Sequence, residues 1–135
     1  MNLGLADRVA IITGGSRGIG KACARELLAE GARVALVSKD PGINAAAVRE
    51  LDALHPGHVF GLPTDLEDDA AIAAMTKKVV DRFGRIDILV NSAATVIPQD
   101  FFKMDDGHLG SLLEQKFNPA AGCIRHAVPH MRARK

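Results

Sequence analysis

The segment Thr13-Gly14-Gly15-Ser16-Arg17-Gly18-Ile19-Gly20 joins a run suited to a buried strand to a run suited to an amphipathic helix. Residues 8–13 (R-V-A-I-I-T) are apolar and β-branched, as strands covered on both faces are. Beyond the glycines, Ile19, Cys23 and Leu27 recur at four-residue spacing, with Ala22, Ala24 and Leu28 beside them. That pattern predicts a helix running to about Glu30 and stopped by Gly31. A strand turning through glycines into a helix start makes an anion site, because the first helical N–H groups lack partners and the helix dipole favours negative charge. Glycine also permits positive φ and lets a phosphate approach the backbone. The spacing is G-x-x-x-G-x-G rather than G-x-G-x-x-G, and a tight strand–helix connection is the alternative reading of the turn by itself.

The rest of the chain repeats the alternation. Residues 33–38 (R-V-A-L-V-S) predict a second strand, and Pro41 suits the first turn of a helix that continues to about Leu54. His55-Pro56-Gly57 breaks it, and residues 58–64 (H-V-F-G-L-P-T) predict a third strand with Pro63 near its end. Residues 65–69 form an acidic helix start. The helix itself spans 70–83, with Ile72, Met75, Val79 and Val80 on one side and Gly84 as its stop. Residues 85–91 (R-I-D-I-L-V-N) predict the fourth strand. A loop with Pro98 and Gly107 follows, then a last helix from about Leu109 to Met131 that carries Pro119 and Pro129. Strands separated by helical crossovers imply one α/β domain with a parallel sheet wrapped on both faces.

Composition narrows the function classes. With 135 residues, 47% of them hydrophobic, the chain can bury a core. Its net charge of +1 and lack of a basic stripe or stacking aromatics other than Phe argue against nucleic acid as a partner. No apolar stretch is long enough to cross a bilayer, and no signal peptide is evident. Cys23 and Cys123, far apart, suit reduced thiols, so a cytoplasmic setting is expected. His126 and His130 have the i,i+4 spacing of metal ligands, yet no third ligand is recognisable and a proline lies between them, so no metal site is expected.

Four motifs in order carry a resemblance that covers essentially the whole chain: T-G-G-S-R-G-I-G after the first strand, Thr64-Asp65-Leu66 after the third, Asn91-Ser92-Ala93-Ala94 after the fourth, and Pro129-His130-Met131 closing the last helix. Together they make the chain similar to the N-terminal, cofactor-binding half of a short-chain dehydrogenase/reductase. The resemblance implies a Rossmann-type doubly wound sheet with strand order 3-2-1-4. It implies NAD(P)-dependent hydride transfer to or from a carbonyl or hydroxyl substrate. Gly14, Ser16, Arg17, Gly18, Ile19 and Gly20 would cradle the adenosine phosphates. Asp65 and the Leu66 N–H would hold the adenine, and Asn91, Ser92, Ala93 and Ala94 would line the cleft near the nicotinamide ribose. Structural alternatives stand beside these roles: a helix N-cap for Asp65 and a strand-end turn for Asn91. An NAD-preferring site carries a carboxylate at the end of the second strand. Here that position is Ser38, followed by Lys39, with Arg17 near the same corner, so NADP(H) is favoured over NAD(H), with Asp40 weighing against it. Lys39 and Arg17 as ordinary solvated charges are the alternative.

The sequence departs from the family in three places. Ala94 stands where glycine is usual. Counting back from Pro129-His130-Met131 without a gap, the asparagine that helps order a catalytic water falls on Lys116, as in a subset of the family. Asn118 then reads as the cap of a helix restart at Pro119. The catalytic serine and Tyr-x-x-x-Lys are absent, and the chain contains no tyrosine at all. His108, His126 and His130 are the remaining proton-donor candidates. The expectation is therefore a chain incomplete at its C-terminus that supplies the cofactor half; the alternative is a nucleotide-binding protein or fragment without catalysis. The fourth strand becomes an open edge, which predicts self-association. Loop residues Val96, Ile97, Phe101 and Phe102 either line one wall of a substrate pocket, or pack over the sheet edge or in a dimer contact.

Overall fold

The computed structural model describes residues 1–93 and 98–134. Ala94, Val96 and Ile97, given site or pocket roles above, lie outside the described residues. Four strands, β1 (Val9–Thr13), β2 (Arg33–Ser38), β3 (Val59–Pro63) and β4 (Ile88–Asn91), form one sheet in the order β3-β2-β1-β4. Every pairing is parallel, with Val9 opposite Arg33, Ala10 opposite Ile88 and Val34 opposite Val59. The crossovers are α1 (Gly18–Ala29), α2 (Pro41–Leu54) and α3 (Asp69–Phe83), and the connection from β4 to α4 (Asp106–Arg132) includes, among the described residues, a 3-10 turn at Phe101–Lys103. Among the described residues no helix is long and apolar enough to cross a membrane.

Strand alternation divides the core. Val9, Ile11, Ala35 and Val37 face α3 and α4, where Ile72, Met75, Val79, Cys123 and Ala127 meet them. Ala10, Ile12, Val34 and Leu36 face the other way, against Ala24, Leu28, Ala47 and Leu51 of α1 and α2. Because helices cover both faces, both parities of the inner strands must be apolar, and β1 is buried along its whole length. β4 has a neighbour on one side only and stays half-exposed. At the N-terminal edge of the sheet, Asp87 braces β1 to β4. It accepts the Val9 N–H at 2.9 Å and two bonds from Arg85 at 2.7 and 2.5 Å.

Three local expectations are corrected. The buried face of α1 is centred on Gly20, Ala24 and Leu28; of the stripe Ile19-Cys23-Leu27, Cys23 and Leu27 pack half-buried at its margin and Ile19 does not. Gly20 has no side chain, so α1 presses onto the Gly14 backbone and turns that face inward, leaving Ile19 78% exposed. Asp68, not Asp65, caps α3, accepting the Ala70 and Ala71 N–H groups, while Asp65 accepts the nearby Glu67 N–H. Helix α4 runs unbroken through Pro119 and Pro129, so Asn118 caps no restart. Pro119 cannot donate to the Gln115 carbonyl, yet Pro119, Gly122 and Cys123 are buried, and their packing carries the helix across.

Candidate functional site

A cleft of about 690 Å³ opens beyond the C-terminal ends of the strands, where crossovers on opposite faces diverge. Its floor is the glycine loop: Gly14, Ser16, Arg17, Gly18 and Ile19. One wall follows β2, with Ser38, Lys39, Asp40 and Ile43; another follows β3, with Thr64, Asp65, Leu66 and Glu67. Ser92 and Ala93 after β4, with Gln115 and Pro119 of α4, close the far side. Residues as far apart in sequence as Gly14 and Pro119 thus meet at one place. Of the described residues singled out for cofactor contact, all but Gly20 and Asn91 line the cleft. Gly20 is buried beneath the loop, and Asn91 is exposed at the end of β4.

Two of the glycines fix the loop's shape. Gly14 has φ +64°, and a Cβ there would stand 2.7 Å from the Ser92 carbonyl oxygen and 2.8 Å from the Ala93 nitrogen. Gly18 has φ +58° with nothing within 4 Å of where its Cβ would be, so α1 begins at the open mouth of the cleft. Helices α2, α3 and α4 each start with an aspartate whose carboxylate accepts N–H groups of the first turn. Helix α1 has no such cap and no acidic residue in its first turn, so its leading N–H groups are left to whatever enters the cleft.

Hydrogen bonds tie the loop to its neighbours. The Thr13 hydroxyl oxygen accepts the Ser92 and Ala93 N–H groups at 3.1 and 3.2 Å, and its proton goes to the Val90 carbonyl at 3.4 Å. The Ser16 and Ser38 hydroxyls are 2.5 Å apart, and Asn44, 2% exposed on α2, donates to Ser38 Oγ at 2.9 Å and to the Leu36 carbonyl at 3.0 Å. Asp40 caps α2, accepting the Ile43 N–H at 2.9 Å. The Lys39 ammonium lies 3.8 Å from the Asp65 carboxylate, both well exposed. Among the described residues, Arg17 is extended at the start of α1 and makes no ion pair.

The proton-donor candidates sit elsewhere. His126 Nε2 is 3.0 Å from the Asp69 carboxylate, which also holds Arg125. His108 shares a reciprocal cap with Asp105 at the start of α4. Neither of these, nor His130, lines the cleft. Lys116 is exposed on α4 outside the lining, and Gln115, one residue earlier, takes the cleft-facing position. Residues that sequence reasoning passed over are Asn44, Ile43, Gln115 and the bracing role of Thr13. Asn44 did leave a signal: it shares a spacing of three and then four with Ala47 and Leu51, an amide in a core stripe.

Residues 8–135 match the family described as short chain dehydrogenase. A 3alpha-hydroxysteroid dehydrogenase from Mediterraneibacter gnavus is 30% identical over 129 residues, covering 95% of this chain and 52% of that protein. A 2-dehydro-3-deoxy-L-rhamnonate dehydrogenase (NAD(+)) from Sphingomonas sp. is 36% identical over 129 residues, covering 93% of this chain and 49% of its own length. Among solved structures, L-sorbose reductase from Gluconobacter frateurii, complexed with NADPH and L-sorbose, superposes with TM-score 0.90 at 33% identity, over 99% of this chain and 51% of that one. An NADPH-bound short chain oxidoreductase from Pseudomonas aeruginosa with an atypical catalytic center gives TM-score 0.90 at 31% identity, over 96% of this chain and 51% of that one. The chain spans about half the length of the relatives it matches.

Proposed function

Because this chain belongs to the short-chain dehydrogenase family, we propose that it is the cofactor-binding half of an oxidoreductase that transfers hydride between NADP(H) and the carbonyl or hydroxyl carbon of a substrate. The observation that carries this is the uncapped start of α1 opening, at Gly18, onto a cleft whose β2 corner holds Ser38, Lys39 and Arg17. Free helical N–H groups and an open glycine fit a pyrophosphate. Asp65, whose carboxylate is not a helix cap, is left to accept from an adenine amino group, with the Leu66 N–H beside it. Ser92 and Ala93, held by Thr13, support the nicotinamide-ribose end.

Relatives of both cofactor types exist, so preference is argued from charge. No carboxylate occupies the Ser38 position, and Asp40 is engaged as a helix cap. The Lys39–Asp65 pair is exposed and long, a contact of about 0–1 kcal/mol that a doubly charged 2′-phosphate outcompetes for the ammonium. When bound, the dinucleotide supplies or accepts the hydride. The chain's own groups bind and orient it. No tyrosine is present and none of His108, His126 or His130 lines the cleft, which favours a second reading for these 135 residues alone, binding without turnover. The half-exposed β4 edge and the exposed Leu109, Leu113 and Phe117 of α4 support self-association.

The test is a titration that follows NADPH and NADH emission, in a chain with no Trp or Tyr. Saturable binding that favours NADPH, with the preference lost in Lys39→Glu, is expected. Tighter NADH binding would overturn the cofactor choice, and saturation by neither nucleotide would overturn the proposal.

A further inference from the structure

From the geometry at the β2 corner we infer that Asn44 is a positioning residue that makes the Ser16–Ser38 pair an obligatory hydrogen-bond donor toward a phosphate monoester in the cleft. The inference rests on the nucleotide-binding role proposed above. Asn44 is buried, and the amide's orientation is settled by its surroundings. Its NH2 faces the Leu36 carbonyl, which can only accept, at 3.0 Å, and the other amide proton goes to Ser38 Oγ at 2.9 Å. Its Oδ1 lies over Gly61, where any Cβ would collide with Oδ1 and stand 2.7 Å from Val48 Cγ2.

Proton counting gives the consequence. Two serine hydroxyls carry two protons, and their mutual 2.5 Å bond uses one. The second cannot go to Asn44, which presents only donors on this side. Among the described residues the two hydroxyls have no acceptor other than each other. Both serines line the cleft, so one O–H is left facing it whichever serine donates in the shared bond. Beside Lys39 and Arg17, that donor suits a charged phosphate oxygen, with which a hydrogen bond is short and strong. An acceptor at position 44 would instead absorb the spare proton and turn lone pairs toward the anion.

The experiment titrates NADPH and NADH against the full chain, Asn44→Asp, and Asn44→Asp in a Ser16→Ala/Ser38→Ala background, with thermal melts alongside. Expected is a loss of about tenfold for NADPH in Asn44→Asp with NADH changed by less than about twofold, since one charge-assisted bond is at stake. In the double-serine background the Asn44→Asp effect should vanish, which a general loosening of the fold would not produce. If Asn44→Asp lacks a cooperative melt, Asn44→Leu, an apolar side chain of similar size, is read instead, with a loss of about threefold on NADPH alone. Equal losses on both nucleotides, or an Asn44 effect that persists without the serines, overturn the inference while nucleotide binding stands. Failure of the unaltered chain to bind either nucleotide overturns both.

Discussion

Gly14→Ala and Gly18→Ala impose the same backbone strain in the same loop, yet the structure separates them. Both glycines have φ near +60°, a region that costs an L-residue roughly 1–2 kcal/mol. Alanine recovers about 0.4–1 kcal/mol by restricting the unfolded chain, so Gly18→Ala should cost about 1 kcal/mol, its methyl meeting nothing. At Gly14 the methyl would press on the Ser92 carbonyl carbon at 2.8 Å as well as its oxygen at 2.7 Å. These are backbone atoms held by Thr13, not the end of a flexible side chain. Such overpacking adds about 1–3 kcal/mol, for a total of about 2–4 kcal/mol. With a urea slope of about 2 kcal/mol/M, the two midpoints should differ by about 0.5–1.5 M. A chain of this length has an unfolding entropy of about 0.28 kcal/mol/K, so the same gap amounts to roughly 4–10 °C in Tm. Nucleotide affinity should respond in Gly18→Ala despite its milder stability loss, because that methyl stands in the cleft mouth. Urea and thermal melts on the pair decide it. Equal destabilisation, or the larger loss at Gly18, would refute the idea that the glycine loop is wedged against the turn after β4.

Three further outcomes are expected. Burial raises the Asp87 carboxyl pKa, but Arg85, the Val9 N–H and Arg8 more than offset this and hold it below its ordinary 3.8. A depressed folded pKa gives stability that is present above 3.8 and lost as pH falls through the folded value, so Asp87→Asn should flatten the stability–pH curve below about pH 4; an unchanged acid limb in urea melts would contradict this. Thr13→Val keeps the shape but strips the acceptor from the Ser92 and Ala93 N–H groups, at a cost of about 1–3 kcal/mol. Amide exchange at those two positions should accelerate, and unchanged protection would show that another acceptor holds them. Burial pushes the Cys123 thiol up to about 11, so at pH 8 a disulfide reagent should titrate Cys23 in the native protein and Cys123 only after denaturation; equal rates would place Cys123 outside the core.

The order of strands and helices was legible in the sequence because each strand covered on both faces is an uninterrupted apolar run, and α1, α2 and α3 are stopped by Gly31, His55-Pro56-Gly57 and Gly84. β2 and α2 were bounded correctly for that reason. The three motifs at strand ends likewise pointed to residues that the cleft brings together, since strand-end positions in a parallel sheet share one edge. What local pattern could not supply was rotation and partnership. Ile19, Cys23 and Leu27 make as good a stripe as Gly20, Ala24 and Leu28, and the close approach of Gly20 to the Gly14 backbone turns the second stripe inward, with Cys23 and Leu27 at its half-buried margin and Ile19 exposed. Continuity of α4 through two prolines came from burial of Pro119 and Cys123, a tertiary gain that outweighs local propensity. The meeting of Asn44 with Ser38 and Ser16 likewise depends on how α2 docks on the sheet. Sequence alone determined which segments form and which ends of them converge, because periodicity and glycine placement are local. Tertiary structure decided which faces turn inward and which polar groups pair, because those follow from close packing between segments distant in the chain.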